Sequence, residues 1–275
     1  MVAIESFKML GKNKSIMMFP LLSMVFELLA VAVFLAGYFY VYGFGQEAID
    51  ALEKPGSSVL MYVFLFIFYI VGVFIVSFFQ AGLVAVVSGQ INGKKLSFND
   101  GMNVAVAHSG KIFFWSFISA TVGVVLQVIA DKFKFIGRLV SNILGFAWNI
   151  ITFFIVPVLV LENETVGGSI KRSGSVFKNK WGETLIANFS TGFFFGMMMV
   201  LGVVAFFVFV FLVGPETGLL IALAVALAFF MLAVAVMSAA VEGIYRVVIY
   251  EYAAHDKLPE SFRRELIVDA IKTGK

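Results

Sequence analysis

Residues 59–79 read VLMYVFLFIFYIVGVFIVSFF, an unbroken apolar run without a charged side chain. At 1.5 Å per helical residue the run covers about 30 Å, the thickness of the hydrocarbon core of a bilayer. Polar and apolar residues do not alternate in it, which excludes a strand of a transmembrane barrel. Lipid offers no partner to an exposed backbone, so the remaining solution is an α-helix that spans the membrane.

Five more stretches have the same character: residues 16–41, 112–130, 139–161, 185–213 and 219–241, with residues 80–88 able to extend the second span beyond the apolar run. Across the 275 residues, 61% are hydrophobic and 13% are charged, and the mean hydropathy is +1.01. Soluble domains hold roughly 45–50% apolar and about 25% charged residues, so a water-soluble fold is excluded. The expected fold is an all-α integral membrane protein of six transmembrane helices in three hairpins. Short connections leave one membrane domain, residues 1–241, and a cytoplasmic helical tail, residues 242–275. Three lysines precede the first apolar run without a small-residue cleavage site, which reads as an uncleaved first span.

Orientation follows from the basic residues, which accumulate on the cytoplasmic side. With the N-terminus inside, sixteen of the 20 Lys and Arg fall on inner segments. Only Lys54, Lys132, Lys134 and Arg138 fall outside. Both termini are therefore expected in the cytoplasm, and the protein in the cytoplasmic cell membrane. Each odd-numbered span is preceded by apolar residues at helical spacing: Ile4, Phe7 and Leu10; Phe98, Met102 and Ala105; Ile170, Gly174 and Phe177. These read as three short interfacial amphipathic helices, each leading into a hairpin with its apolar stripe toward lipid. Two of them end alike, in Lys12-Asn13-Lys14 and Lys178-Asn179-Lys180, and these four lysines are candidate contacts for anionic lipid.

Within the spans, polar groups are few and therefore informative, because a polar side chain at membrane depth needs a partner. Glu27 is the one acidic residue well inside an apolar run. With Gln80, Asn149 and Asn188 it forms the candidate binding set, either as a structural hydrogen-bonding group or as part of an ion or substrate path. Glu242 and Arg246, spaced i, i+4, read as a clamp at the inner interface. Glu162 and Glu164 make a weak cation-chelating pair, and ordinary loop acids are the stronger reading. Pro157 is expected to kink the fourth span. Gly192 and Gly196 form a GxxxG face suited to close helix packing, within the chain or across a homo-oligomer.

No cysteine is present, and neither His108 nor His255 belongs to a metal-binding or catalytic spacing. No span carries an Asp, and no HExxH, GxxxxGK or GxSxG occurs. No metal, cofactor or catalytic residue is expected, nor is nucleic acid as a partner. Residues 6–23 (SFKMLGKNKSIMMFPLLS), 153–183 (FFIVPVLVLENETVGGSIKRSGSVFKNKWGE) and 245–262 (YRVVIYEYAAHDKLPESF) together resemble a family of six-span prokaryotic membrane proteins catalogued as a domain of unknown function. That family is distantly similar to the membrane domain of glycerophosphodiester phosphodiesterases. The resemblance implies the six-span count and brings no activity. The expected function is non-enzymatic: a membrane-organising, lipid-binding or partner-scaffolding protein. The alternative is a small transporter or channel with Glu27 in its pathway.

Overall fold

The computed structural model describes residues 6, 9–11, 13–53, 59–179, 181–213 and 217–255, without the side chains of 47, 51–53, 134, 179, 181–191, 213 and 217. Among these the protein is helical apart from short connections, with no strand. Its helices are α1 (Ser15–Tyr42), α2 (Gln46–Glu53), α3 (Val59–Ile91), α4 (Phe98–Ala107), α5 (Ser109–Lys132), α6 (Lys134–Ile151) and α7 (Ile155–Pro157). A π-helical turn, π1 (Val158–Glu162), follows, and then α8 (Val166–Asn179), α9 (Trp181–Val213) and α10 (Thr217–His255). Six helical segments are long and apolar enough to cross a membrane, the fourth running over Phe135–Glu162 and so including the break between α6 and π1.

The central element is α3, against which α1, α4, α5, α7 and α10 pack. Side-chain size along it explains how. Its first two thirds are rich in Phe and Tyr, and ring pairs hold the neighbours: Phe34 with Phe64 and Phe68, Phe26 with Phe79, and Phe74 with Phe113. These pairs, together with Phe66 beside Phe117 of α5, show that α1 and α5 each run antiparallel to α3. Its last third is AGLVAVVSG, residues 81–89, and every one of these is buried. Small residues let neighbouring backbones approach closely. At Gly101 of α4 an added Cβ would lie 2.7 Å from the carbonyl oxygen of Gly82 and 2.6 Å from Cζ of Phe19, so three elements meet there with no space for a methyl group.

The packed core gathers at this end: Ile16 and Phe19 of α1, Ala81 to Val87 of α3, Ala105 of α4, Ile112 and Trp115 of α5, Ile155, Val156 and Leu159, and Ala240, Ile244, Val247 and Val248 of α10. Toward the other end the helices expose their apolar side chains, as lipid-facing surfaces do. Leu29 and Val33 of α1, Val59 of α3, Phe135 of α6, Phe211 of α9 and Ile221 of α10 are all exposed. α9 runs along the first part of α10, Gly202 lying under the ring of Phe230.

Two of the expected amphipathic helices, α4 and α8, are present, and their stripes turn inward. Phe98, Met102 and Ala105 pack into the core, with Phe98 4.8 Å from Phe19 between ring centroids. Ile170 packs on the same core and Phe177 on a smaller cluster around Tyr245 and Tyr250. A Ser97–Asp100 capping box starts α4. Of the first stripe only Leu10 is described, and it is buried, while Ile4 and Phe7 lie outside the described residues.

The fourth span is broken at Thr152–Phe154, four residues before Pro157, because the pyrrolidine ring clashes with the carbonyl of residue i−4, here Phe153. The amide of Phe154 freed by the break donates to Oγ of Ser173 in α8 at 2.9 Å. α10 runs unbroken across Val241 to His255.

Candidate functional site

At the junction between the packed end and the lipid-exposed end lies a cavity of about 600 Å³. Its walls come from Glu27, Ala30 and Val31 of α1, one face of α3 between Phe68 and Gln80, Trp115 of α5, Asn149 of α6, Thr152, Phe153, Ile155 and Val156 at the break, and Glu242 and Arg246 of α10. A smaller cavity of about 340 Å³ adjoins it, and Glu27, Val76, Gln80, Glu242 and Arg246 line both. The three helices that carry the polar wall place it at similar depth. Glu27 lies about 18 Å along α1 from Ser15, Gln80 about 17 Å along α3 from Ile91, and Glu242 about 20 Å along α10 from His255, at 1.5 Å per residue.

Three of the four residues singled out in the sequence, Glu27, Gln80 and Asn149, thus share one cavity. The fourth, Asn188, has its side chain outside the described residues. Glu27 accepts a hydrogen bond from Oγ of Ser23, one turn earlier in α1, at 2.8 Å. Neither Gln80 nor Asn149 has a hydrogen-bond partner among the described residues. Glu242 and Arg246, expected as an i, i+4 clamp, also line the cavity wall. Their side chains pair at 2.5 Å, and the Arg246 guanidinium carbon lies 4.7 Å from the ring centroid of Phe153. VVIY, residues 247–250, continues the apolar pattern past Arg246, and all four residues are buried.

A second polar cluster closes the packed end. Glu162, the last residue of π1, accepts from Nε of Arg172 at 2.9 Å and from the Tyr250 hydroxyl at 2.6 Å. Its carboxylate is therefore engaged, and no group of three or more metal-ligating side chains exists among the described residues. Lys111 donates to the carbonyl and to Oδ1 of Asn163, both at 2.7 Å, where the backbone turns left-handed after π1 (φ 54°). Nearby, Ser88 donates to the buried Glu251 at 2.5 Å, and Nδ1 of His255 lies 3.0 Å from the other Glu251 oxygen. Of the four candidate lipid-contacting lysines, Lys14 and Lys178 are exposed, and Lys12 and Lys180 lie outside the described residues.

The cavity offers apolar walls, one polar side, and two primary amides, Gln80 and Asn149, without a hydrogen-bond partner among the described residues. Comparison with other proteins adds a family and no activity. No curated protein and no solved structure matches the chain. These comparisons thus lend no support to the likeness to glycerophosphodiester phosphodiesterase membrane domains or to a prokaryotic source. Residues 59–259, well over half of the chain, match the family of unknown function DUF6159, and the chain belongs to that family.

Proposed function

We propose that the protein is a non-enzymatic lipid-binding protein of the cytoplasmic membrane, with three transmembrane hairpins and both termini inside, that holds one amphiphilic molecule in the cavity. The observation that carries this reading is the cavity itself. Its apolar wall suits a hydrocarbon chain, and the side formed by Glu27, Gln80, Asn149, Glu242 and Arg246 suits a polar head. Hydrocarbon cannot satisfy unpaired amides, so a ligand or water must. The basic segments around Lys14 and Lys178 add a weaker attraction for anionic lipid on the inner surface, about 1 kcal/mol per residue near a charged leaflet.

Gly72 lines the cavity, and a Cβ added there meets nothing within 4 Å. Gly72→Leu therefore fills part of the space without disturbing the walls. The variant, purified in mild detergent, is expected to retain less co-purifying lipid than the wild type when both are extracted and quantified by mass spectrometry. An unchanged lipid complement refutes the reading.

One observation favours transport as a second reading. The break at Thr152–Phe154 contributes two of the residues lining the cavity, Thr152 and Phe153, and discontinuous helices are what many transporters use to bind their cargo. A flux of protons or ions in reconstituted vesicles that Glu27→Gln abolishes would establish this reading over simple binding.

A further inference from the structure

We infer that the cavity recognises amphiphiles whose head carries a protonated primary amine and discriminates against purely anionic heads. The inference rests on the binding reading above and names its ligand class. Three side chains that are charged at neutral pH in water line the two adjoining cavities: Glu27, Glu242 and Arg246. Glu242 and Arg246 are in contact at 2.5 Å and cancel one another, and the face of Arg246 is further occupied by the ring of Phe153. That leaves Glu27, whose partner is the uncharged hydroxyl of Ser23. A partly buried carboxylate paired with a neutral hydroxyl is stabilised by a cation brought to it.

The neighbouring groups specify what kind of cation. A primary ammonium has three donors and no acceptor. Glu27 takes one of them, and the carbonyl oxygens of Gln80 and Asn149, both unengaged, supply acceptors for the others. The amide N–H groups of the same two residues remain for an oxygen of the head. A bare metal ion fits poorly, because the set contains one unpaired carboxylate and two neutral amides in a mostly apolar wall, far short of the oxygen shell of a hard cation. An anionic head meets one surplus negative charge and an arginine already paired.

The test is native mass spectrometry of the full chain in detergent, titrated with dioleoyl phosphatidylethanolamine or dioleoyl phosphatidylglycerol, whose chains are identical. The wild type is expected to prefer the ethanolamine lipid by about tenfold. Glu27→Gln is expected to remove the preference, and Glu27→Asp, which keeps the charge, to retain it. Competing the ethanolamine lipid with dodecylamine and with dodecanol separates the source of recognition. Competition by the amine alone assigns it to the ammonium, and competition by a phospholipid alone assigns it to the whole amino-phosphate head. Equal competition by dodecanol, a preference for the glycerol lipid, or a preference that survives in Glu27→Gln overturns the inference. In each of these three cases Gly72→Leu still weakens binding of both lipids if the cavity is the site. If Gly72→Leu binds both lipids as the wild type does, the cavity reading itself has failed.

Discussion

Gly101→Ala tests whether the close approach of α1, α3 and α4 holds the packed end of the bundle together. The new methyl carbon would lie 2.7 Å from the Gly82 carbonyl oxygen, 2.6 Å from Cζ of Phe19 and 2.9 Å from Cγ2 of Val86. The two side chains have some freedom to shift, but the carbonyl belongs to the central helix and has none. Overpacking of this kind costs about 1–3 kcal/mol, from which about 0.4–1 kcal/mol is recovered because alanine is less disordered than glycine in the unfolded chain. The difference spans about 0–2.6 kcal/mol, and the contact with the main chain places the net loss in its upper part, above about 1 kcal/mol. Thermal unfolding in detergent, followed through tryptophan emission, reads it directly, since Trp115 is buried in the same core. The control is Gly110→Ala in α5, where an added Cβ meets nothing within 4 Å. There the gain stands alone, so the melting temperature should rise or stay level. Combining Gly101→Ala with Phe19→Leu removes one obstacle and should cost less than the sum of the single changes. If Gly101→Ala melts at or above the wild type, or Gly110→Ala costs as much, the packing described at this end is wrong.

Two further expectations concern orientation and pH. Single cysteines at Ser57 and Thr217 should react with an impermeant thiol reagent in intact cells and one at Ser97 should not, a clean assay in a chain with no native cysteine; the opposite labelling pattern sinks the proposed orientation. Hydrogen bonds from the Ser97 hydroxyl (2.7 Å) and amide (2.8 Å) hold the Asp100 carboxyl below its ordinary value of 3.8. Because the folded value is the lower one, the contribution of Asp100 is full above 3.8 and fades as pH falls through the folded value. Asp100→Asn should therefore lower the melting temperature at neutral pH, and the gap should close in acid; a gap independent of pH refutes the capping role.

The six spans are legible because their signal, long apolar runs without charge, reports directly on the solvent that surrounds them. Glu27, Gln80 and Asn149 are legible for the complementary reason that a polar group in such a run is costly enough to require an explanation. Other features depend on what a residue meets, and a single chain does not encode that locally. The stripes of α4 and α8 have the period of an amphipathic helix, but the period does not say whether lipid or protein covers them. Here the core covers Ala105, and Phe177 packs beside Tyr245 and Tyr250. Pro157 announces a distortion in the fourth span. Nothing near it in sequence announces that Ser173, sixteen residues later, satisfies the amide that the break sets free.

The position of the cavity has a source that the sequence does contain, in the sizes of side chains along α3. Residues 81–89 are small enough for α1, α4 and α10 to close around them, Leu83 touching Gly243 of α10 and Gly82 facing Gly101 of α4. Residues 64–79 instead hold six phenylalanines. The Phe34–Phe68 and Phe26–Phe79 ring centroids stand 4.7 and 5.5 Å apart, keeping α1 away from α3 by the thickness of two rings. Between the close and the wide regime, helices that meet at one end must diverge. The space that opens falls at Glu27, Val76 and Gln80, where the smaller cavity joins the larger. Glu27 and Gln80 thus stand at the level where α1 and α3 part, beside the space that the proposed ligand would fill. Substitutions that shrink Phe68 or enlarge Ala81 act on the cavity by changing the helix spacing, without touching its polar groups.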